Sequence, residues 1–116
     1  IGGNLSVLYG LQGTPYSLNA IIDNCVEPPV LLIEDICERH YHIDRMMNNL
    51  RLSGVLSRLS GVIVGQFTDC DDDPKMGCTL RETLQYYLDQ YDYPVVWGAP
   101  YGHEDDNRPI MFSLNV

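Results

Sequence analysis

Glu34 and His103 are the two side chains of this chain whose types and positions are best suited to moving a proton together. Glu34 stands near the end of the apolar run "PPVLLIED", and His103 lies in the loop "APYGHEDDNRP", between a glycine and three consecutive acids. A carboxylate that hydrogen-bonds one imidazole nitrogen fixes the ring's tautomer. It also stabilises the imidazolium formed when the other nitrogen takes a proton. In open α/β sheets ligands gather beyond the carboxyl ends of strands, which is where both residues are expected. Strand-end acids and loop histidines are also common without any catalytic task, and such a pair still needs a nucleophile.

Other groups compete for attention. Asp35 and Glu38 are alternative acids for the same role, although Asp35 could cap the following segment and Glu38 could be simply solvated. An inward strand-end acid needs a partner to offset its burial, and the residues alone leave the choice between Glu34 and its neighbours open. Asp44 and Arg45 read as a helix-start charge and a structural ion pair. His40 and His42 imitate a metal-binding HxH pair, but in a polar approach to a helix they read as exposed. Asp69, Asp71 and Asp73 resemble half of a calcium loop, yet Pro74 occupies the place of its turn glycine and Leu80 that of its bidentate glutamate. Gly2-Gly3-Asn4 reads as a tight turn with an N-cap rather than a phosphate cradle. Tyr87 and Tyr91 fall at helical spacing and read as core or interface residues rather than a substrate wall. Asp105, Asp106 and Asn107 read as a solvated loop that holds His103 through backbone hydrogen bonds and could also meet a substrate amine.

The elements that must position these residues follow from periodicity. Asn4 caps a short helix carrying Leu5, Leu8 and Leu11, which Gly13, Thr14 and Pro15 stop. The run at 28–35 lacks polar alternation, as a strand covered on both faces does. Ile43, Met46, Met47 and Leu50 mark one face of a helix from near Tyr41 to Ser53-Gly54, and a brief helical turn follows through Leu56 and Leu59. "GVIVGQF" at 61–67 is a second strand, followed by the polar loop "TDCDDDPKMGC". Thr79 and Glu82 form a capping box before a helix with Leu80, Leu84, Tyr87, Leu88 and Tyr91 on one stripe. "YPVVWG" and "RPIMFSLNV" are the remaining expected strands, on either side of the His103 loop. Strands alternating with helices predict a small layered α/β domain, with α+β as the other arrangement of the same pieces.

The 116 residues suffice for one small domain with a hydrophobic core, but are short for an enzyme with a cleft between two lobes. A chain opening on Ile1-Gly2-Gly3-Asn4 reads as a domain cut from a longer protein. Acids outnumber bases 16 to 7, for a net charge of -9, which opposes nucleic-acid binding. No apolar run reaches the roughly 20 residues of a membrane span. Cys25, Cys37, Cys70 and Cys78 contain no CxxC and read as reduced thiols, with no metal site implied.

Four blocks in this order, "GGNLSVLYGLQGTPYS", "LLIEDICERHYHIDRMMNNLRLSGVL", "GVIVGQF" and "YGHEDDNRPI", resemble the carboxy-terminal domain of the LD-carboxypeptidase family, the S66 serine peptidases. The second block, with Glu34-Asp35, Glu38, Tyr41, Ile43, Asp44, Arg45 and Met46, is the most specific. The resemblance implies that residues 1–116 form a swivelling-type β/α domain, with Glu34 as the acid and His103 as the general base of a Ser-His-Glu triad. The serine would stand on a nucleophile elbow in an amino-terminal domain of the same protein. None of Ser6, Ser17, Ser53, Ser57, Ser60 and Ser113 has a G-x-S-x-G setting. The implied reaction is cytoplasmic release of the terminal D-alanine from murein tetrapeptides during cell-wall recycling, without metal or organic cofactor. A related branch cleaves microcin C-type peptide-nucleotide antibiotics as a self-immunity enzyme, and a noncatalytic peptide-binding module on the same fold is the other alternative. Members of the family often dimerise, which makes a second copy of the chain a candidate partner.

Overall fold

The computed structural model describes residues 1–112. Its centre is a four-stranded, wholly parallel sheet of β1 (Gly2–Asn4), β2 (Val30–Ile36), β3 (Gly61–Thr68) and β4 (Val95–Val96), in that spatial order. Parallel neighbours need crossover connections, and the chain supplies them as α1 (Leu5–Gly10) and α2 (Leu18–Ile22), then α3 (His40–Leu52), then α4 (Leu80–Leu88). Short 3-10 turns at Leu56–Arg58 and Pro74–Met76 complete the elements. The uniformly parallel sheet decides the architecture as α/β rather than α+β.

Helix starts follow local chemistry. The Asn4 side chain accepts from the Val7 N–H, and Thr79 and Glu82 form the expected reciprocal capping box at the start of α4. α3 buries Ile43, Met46, Met47 and Leu50 completely against Leu31 and Ile33 of β2 and Val62 and Val64 of β3. Each such side chain contributes roughly 1.5–3 kcal/mol by leaving water. Leu32 and Ile63 alternate to the opposite sheet face and line a separate apolar cavity of about 470 Å³ together with Ile110 and Met111. Leu31, Ile33 and Asp35 on one face of β2 and Leu32 and Glu34 on the other are all buried, which explains its unbroken apolar run.

Several expectations are corrected. Gly2–Asn4 is a strand paired with Leu32–Glu34 rather than a tight turn, because three residues become a strand only through the neighbour they bond. The first helix closes at Gly10, one turn short of Gly13, and α2 carries too few residues for a periodic pattern. The expected strand "YPVVWG" shrinks to Val95–Val96 at the sheet edge. Arg108–Phe112 has no regular structure, and the rest of "RPIMFSLNV" lies outside the described residues.

Candidate active site

β2 sorts its two adjacent acids by alternation. Asp35 shares parity with Leu31 and Ile33 and turns toward the helices; Glu34 shares parity with Leu32 and turns the other way. At Glu34 the pairing with β3 is interrupted. Ile33 stands opposite Val64 and Asp35 opposite Phe67, so Gly65 and Gln66 together face the single residue Glu34. One extra residue in a strand is a β-bulge, a device that re-aims side chains beside functional sites.

His103 is carried to this point by the loop 100–108. The loop continues from the carboxyl side of β4, with the Ala99 N–H donating to Val64 O (3.1 Å) and the Gln66 N–H donating to Tyr101 O (2.8 Å). A Cβ on Gly65 would lie 2.5 Å from Tyr101 O and 3.2 Å from the Glu34 Cβ, so only glycine lets loop and strand meet here. Asn107 Oδ1 accepts from the Gly102 N–H (3.2 Å), and the Arg108 N–H closes the loop on Pro100 O (2.8 Å). The acidic stretch thus holds the loop partly through the Asn107 side chain as well as through backbone bonds.

The result is a 2.8 Å hydrogen bond between His103 Nδ1 and Glu34 Oε2, across 69 residues of sequence. An ionised carboxylate only accepts, so Nδ1 carries the hydrogen and Nε2 of the neutral ring is the proton acceptor. The Glu34 side chain is 10% exposed and the His103 side chain 43% exposed. The acid is thus buried behind the imidazole, while the ring stays accessible to a group arriving from outside this chain.

The competing acids go elsewhere. Asp35 is buried and accepts from Asn4 Nδ2 (3.0 Å), the Ser6 N–H (2.9 Å), Ser6 Oγ (2.6 Å) and its neighbour's Ile36 N–H (2.8 Å). It binds the start of α1 rather than capping the segment after β2. Glu38 is not simply solvated: Oε1 shares the single Ser6 hydroxyl hydrogen with Asp35 (2.8 Å from Ser6 Oγ), and Oε2 lies 2.6 Å from His42 Nδ1. Burial acts to raise its carboxyl pKa, but the bonds from Ser6 and His42 and the histidine's charge outweigh that effect, and the net shift is downward.

His40 corrects a second expectation. It is buried, with Nδ1 accepting from the Asp73 N–H (3.0 Å) and Nε2 therefore donating to Thr83 Oγ1 (2.7 Å). His42 turns to Glu38 instead, so the two rings have separate partners and no shared ligand position. Asp44 and Arg45 form no ion pair with each other among the described residues. Asp44 accepts from the Tyr87 hydroxyl (2.7 Å), and the Arg45 guanidinium stands 5.8 Å from the Tyr41 ring centre. Burial first, and then the bond to Asp44, push the Tyr87 phenol well above its usual range. In the acidic loop Asp72 Oδ1 accepts from the Leu80 N–H at the start of α4, and Asp73 Oδ1 from the Lys75 N–H. Among the described residues no group of three or more His, Cys, Asp or Glu gathers to hold a metal ion. All four cysteines are free.

No described serine bonds His103, while Ser6 is engaged by Asp35 and Glu38; Ser113 lies outside the described residues. The isolated Gly65 inside the apolar run 61–67 is the sequence signal of a bulge or close backbone approach, while nothing in the sequence points to Gln66. Residues 1–116 match the family described as the LD-carboxypeptidase C-terminal domain.

The chain belongs to this family.

As a member of the LD-carboxypeptidase C-terminal domain family, it is 34% identical over 104 residues to the probable murein peptide carboxypeptidase of Bacillus subtilis (strain 168), covering 89% of this chain and 31% of that protein. Its fold is similar to the crystal structure of muramoyltetrapeptide carboxypeptidase from Oxalobacter formigenes, with a TM-score of 0.74 and 30% identity over 91% of this chain and 35% of the other. It is also similar to the microcin C7 self immunity protein MccF, with a TM-score of 0.67 and 26% identity over 87% of this chain and 28% of the other. The chain spans about a third of the length of the curated relatives it matches. Relatives of this S66 domain are carboxypeptidases, and no described helix is long and apolar enough to cross a membrane.

Proposed function

We propose that residues 1–116 are the carboxy-terminal domain of a serine-type LD-carboxypeptidase, and that Glu34 and His103 are two members of its Ser-His-Glu triad. The nucleophile serine comes from an amino-terminal domain of the same protein. The substrate is a murein tetrapeptide, and the products are the shortened peptide and D-alanine, formed in the bacterial cytoplasm during wall recycling. The observation that carries this reading is the 2.8 Å bond from a buried carboxylate to the Nδ1 side of an accessible imidazole.

In this reading His103 Nε2 takes the serine proton as the serine oxygen attacks the carbonyl carbon of the L,D-peptide bond. The imidazolium then gives that proton to the departing D-alanine nitrogen, leaving an acyl-enzyme that water hydrolyses with His103 again as base. Glu34 holds Nδ1–H in place throughout and offsets the positive charge on the ring. Loss of this domain from the protein removes both proton-handling groups, and this domain alone lacks the nucleophile and hydrolyses nothing.

The test is D-alanine release from a murein tetrapeptide by the intact parent protein, beside a His103→Ala control. Release that disappears in the variant supports the reading; variant activity near wild type removes His103 from the mechanism. The likeness to MccF supports a second reading, cleavage of a peptide-nucleotide antibiotic. A parallel assay with an aminoacyl-nucleotide conjugate separates the two, since only one substrate should turn over efficiently. A folded protein inactive on both would point to a noncatalytic peptide-binding module.

A further inference from the structure

We propose that Gln66 is the positioning residue that locks His103 onto Glu34. This rests on the pairing of Glu34 and His103 assigned above, and adds to it the group that sets their geometry.

Gln66 holds both limbs of the histidine loop. Its backbone N–H donates to Tyr101 O (2.8 Å), two residues before His103, and its side-chain Nε2 donates to Asp106 O (3.0 Å), three residues after it. Between these two bonds the loop lies directly on the Gln66 side chain. A Cβ on Gly102, whose φ is +143°, would stand 3.1 Å from Gln66 Cβ and 3.2 Å from Gln66 Oε1. In the other direction Gln66 belongs to the bulge that faces Glu34 across β2 and β3. One residue therefore connects the strand of the acid, through the bulge, to both ends of the loop of the base.

The amide orientation is fixed by chemistry. A carbonyl such as Asp106 O accepts only from a donor, so the NH₂ group must point at it. Oε1 is left buried without a hydrogen-bond partner among the described residues. The extra residue of the bulge turns Gln66 toward the loop where regular pairing would set another register. Thr68 Oγ1, two residues on, adds a weaker tie to Glu104 Oε1 (3.2 Å).

Gln66 touches neither the ring of His103 nor Glu34 in any hydrogen bond among the described residues, so its part is to place the base. Gln66→Glu keeps the shape, removes the donor and sets a carboxylate against the Asp106 carbonyl. Gln66→Met keeps the length and removes the donor without adding charge.

Both variants are to be made in the intact parent protein labelled with ¹⁵N-histidine. Two quantities are read: tetrapeptide turnover, and the NMR signal of the His103 Nδ1–H bonded to Glu34, assigned by its loss in His103→Ala. A displacement of about 1 Å in a catalytic group costs on the order of 10²-fold. The expected result is therefore a fall in kcat of about 10- to 100-fold, with KM little changed and the Nδ1–H signal shifted or broadened. If Gln66→Glu does not fold, Gln66→Met gives the same readings. An unchanged His103 signal in a folded variant overturns the proposal, even if activity falls. A wild-type protein inactive on tetrapeptide, but with a His103 signal that depends on Gln66, would overturn the proposed substrate and support the positioning role.

Discussion

Gly65 and Tyr101 come so close that the glycine's missing Cβ is what lets the histidine loop lie against β3: a Cβ there would stand 2.5 Å from the Tyr101 carbonyl oxygen. The same Cβ would stand 3.2 Å from the Glu34 Cβ. Gly65→Ala should therefore separate loop and strand. A destabilisation of about 1–3 kcal/mol is expected from overpacking against backbone, together with loss of turnover. Chemical denaturation of the intact protein measures it, and wild-type stability with wild-type activity would remove the close-approach account.

Glu34→Gln keeps the size of the side chain but offers Nδ1–H a neutral partner, and its amide can select the wrong tautomer. The corresponding acid-to-amide change in the Ser-His-Asp triad of a serine protease lowers kcat by about 10⁴-fold. A comparable loss is expected here with KM nearly unchanged. Steady-state kinetics on the tetrapeptide decide it. Asp35→Asn is the comparison: it disturbs the bonds to Asn4 and Ser6 and should lower stability more than it lowers kcat at temperatures where the protein is folded.

Glu38 gives a pH dependence of stability. Its carboxyl pKa is lowered in the folded state, so it contributes stability that is present above the ordinary carboxylate value of 4.5 and is lost as pH falls through the lower folded value. With its side chain 23% exposed, the ion pair with His42 is worth under about 1 kcal/mol. Glu38→Gln should be less stable than wild type at pH 6 and converge with it near pH 3. Denaturation midpoints that differ equally at both pH values would contradict the assignment.

His40→Ala should cost about 2–3 kcal/mol, because it leaves the Asp73 N–H without its partner, removes one of the two partners of the Thr83 hydroxyl and opens a cavity. The same variant removes the hydrogen bond that ties the loop 69–73 to α3 and leaves the loop its bond from Asp72 to the start of α4. Limited proteolysis should then cut there faster than in wild type. Equal cleavage rates with equal stability would show that His40 does not hold the loop.

The elements legible in the sequence are those whose signal is local. Ile43, Met46, Met47 and Leu50 announce α3 at helical spacing, and Thr79 with Glu82 announces the start of α4, because both depend on contacts within a few residues. β1, α2 and β4 have three, five and two residues, too few to show a period, and β1 and β4 are strands only through their pairing with β2 and β3. The burial of His40 is not legible in the sequence because the groups that bond it, Thr83 and Asp73, are 43 and 33 residues away.

By itself the sequence determined the two long apolar strands, the main helices and their caps, the excess of acid, and the family blocks that contain Glu34, Asp35 and His103. Those features rest on short-range periodicity and residue type. Tertiary structure alone decided which of the adjacent acids meets the histidine. Strand parity turns Asp35 toward α1 and Glu34 away from it, while the bulge at Gly65 and Gln66 and the folded loop bring His103 to the same face. A choice between neighbours pointing to opposite sides of a sheet is invisible until the sheet is packed, because it depends on what covers each face.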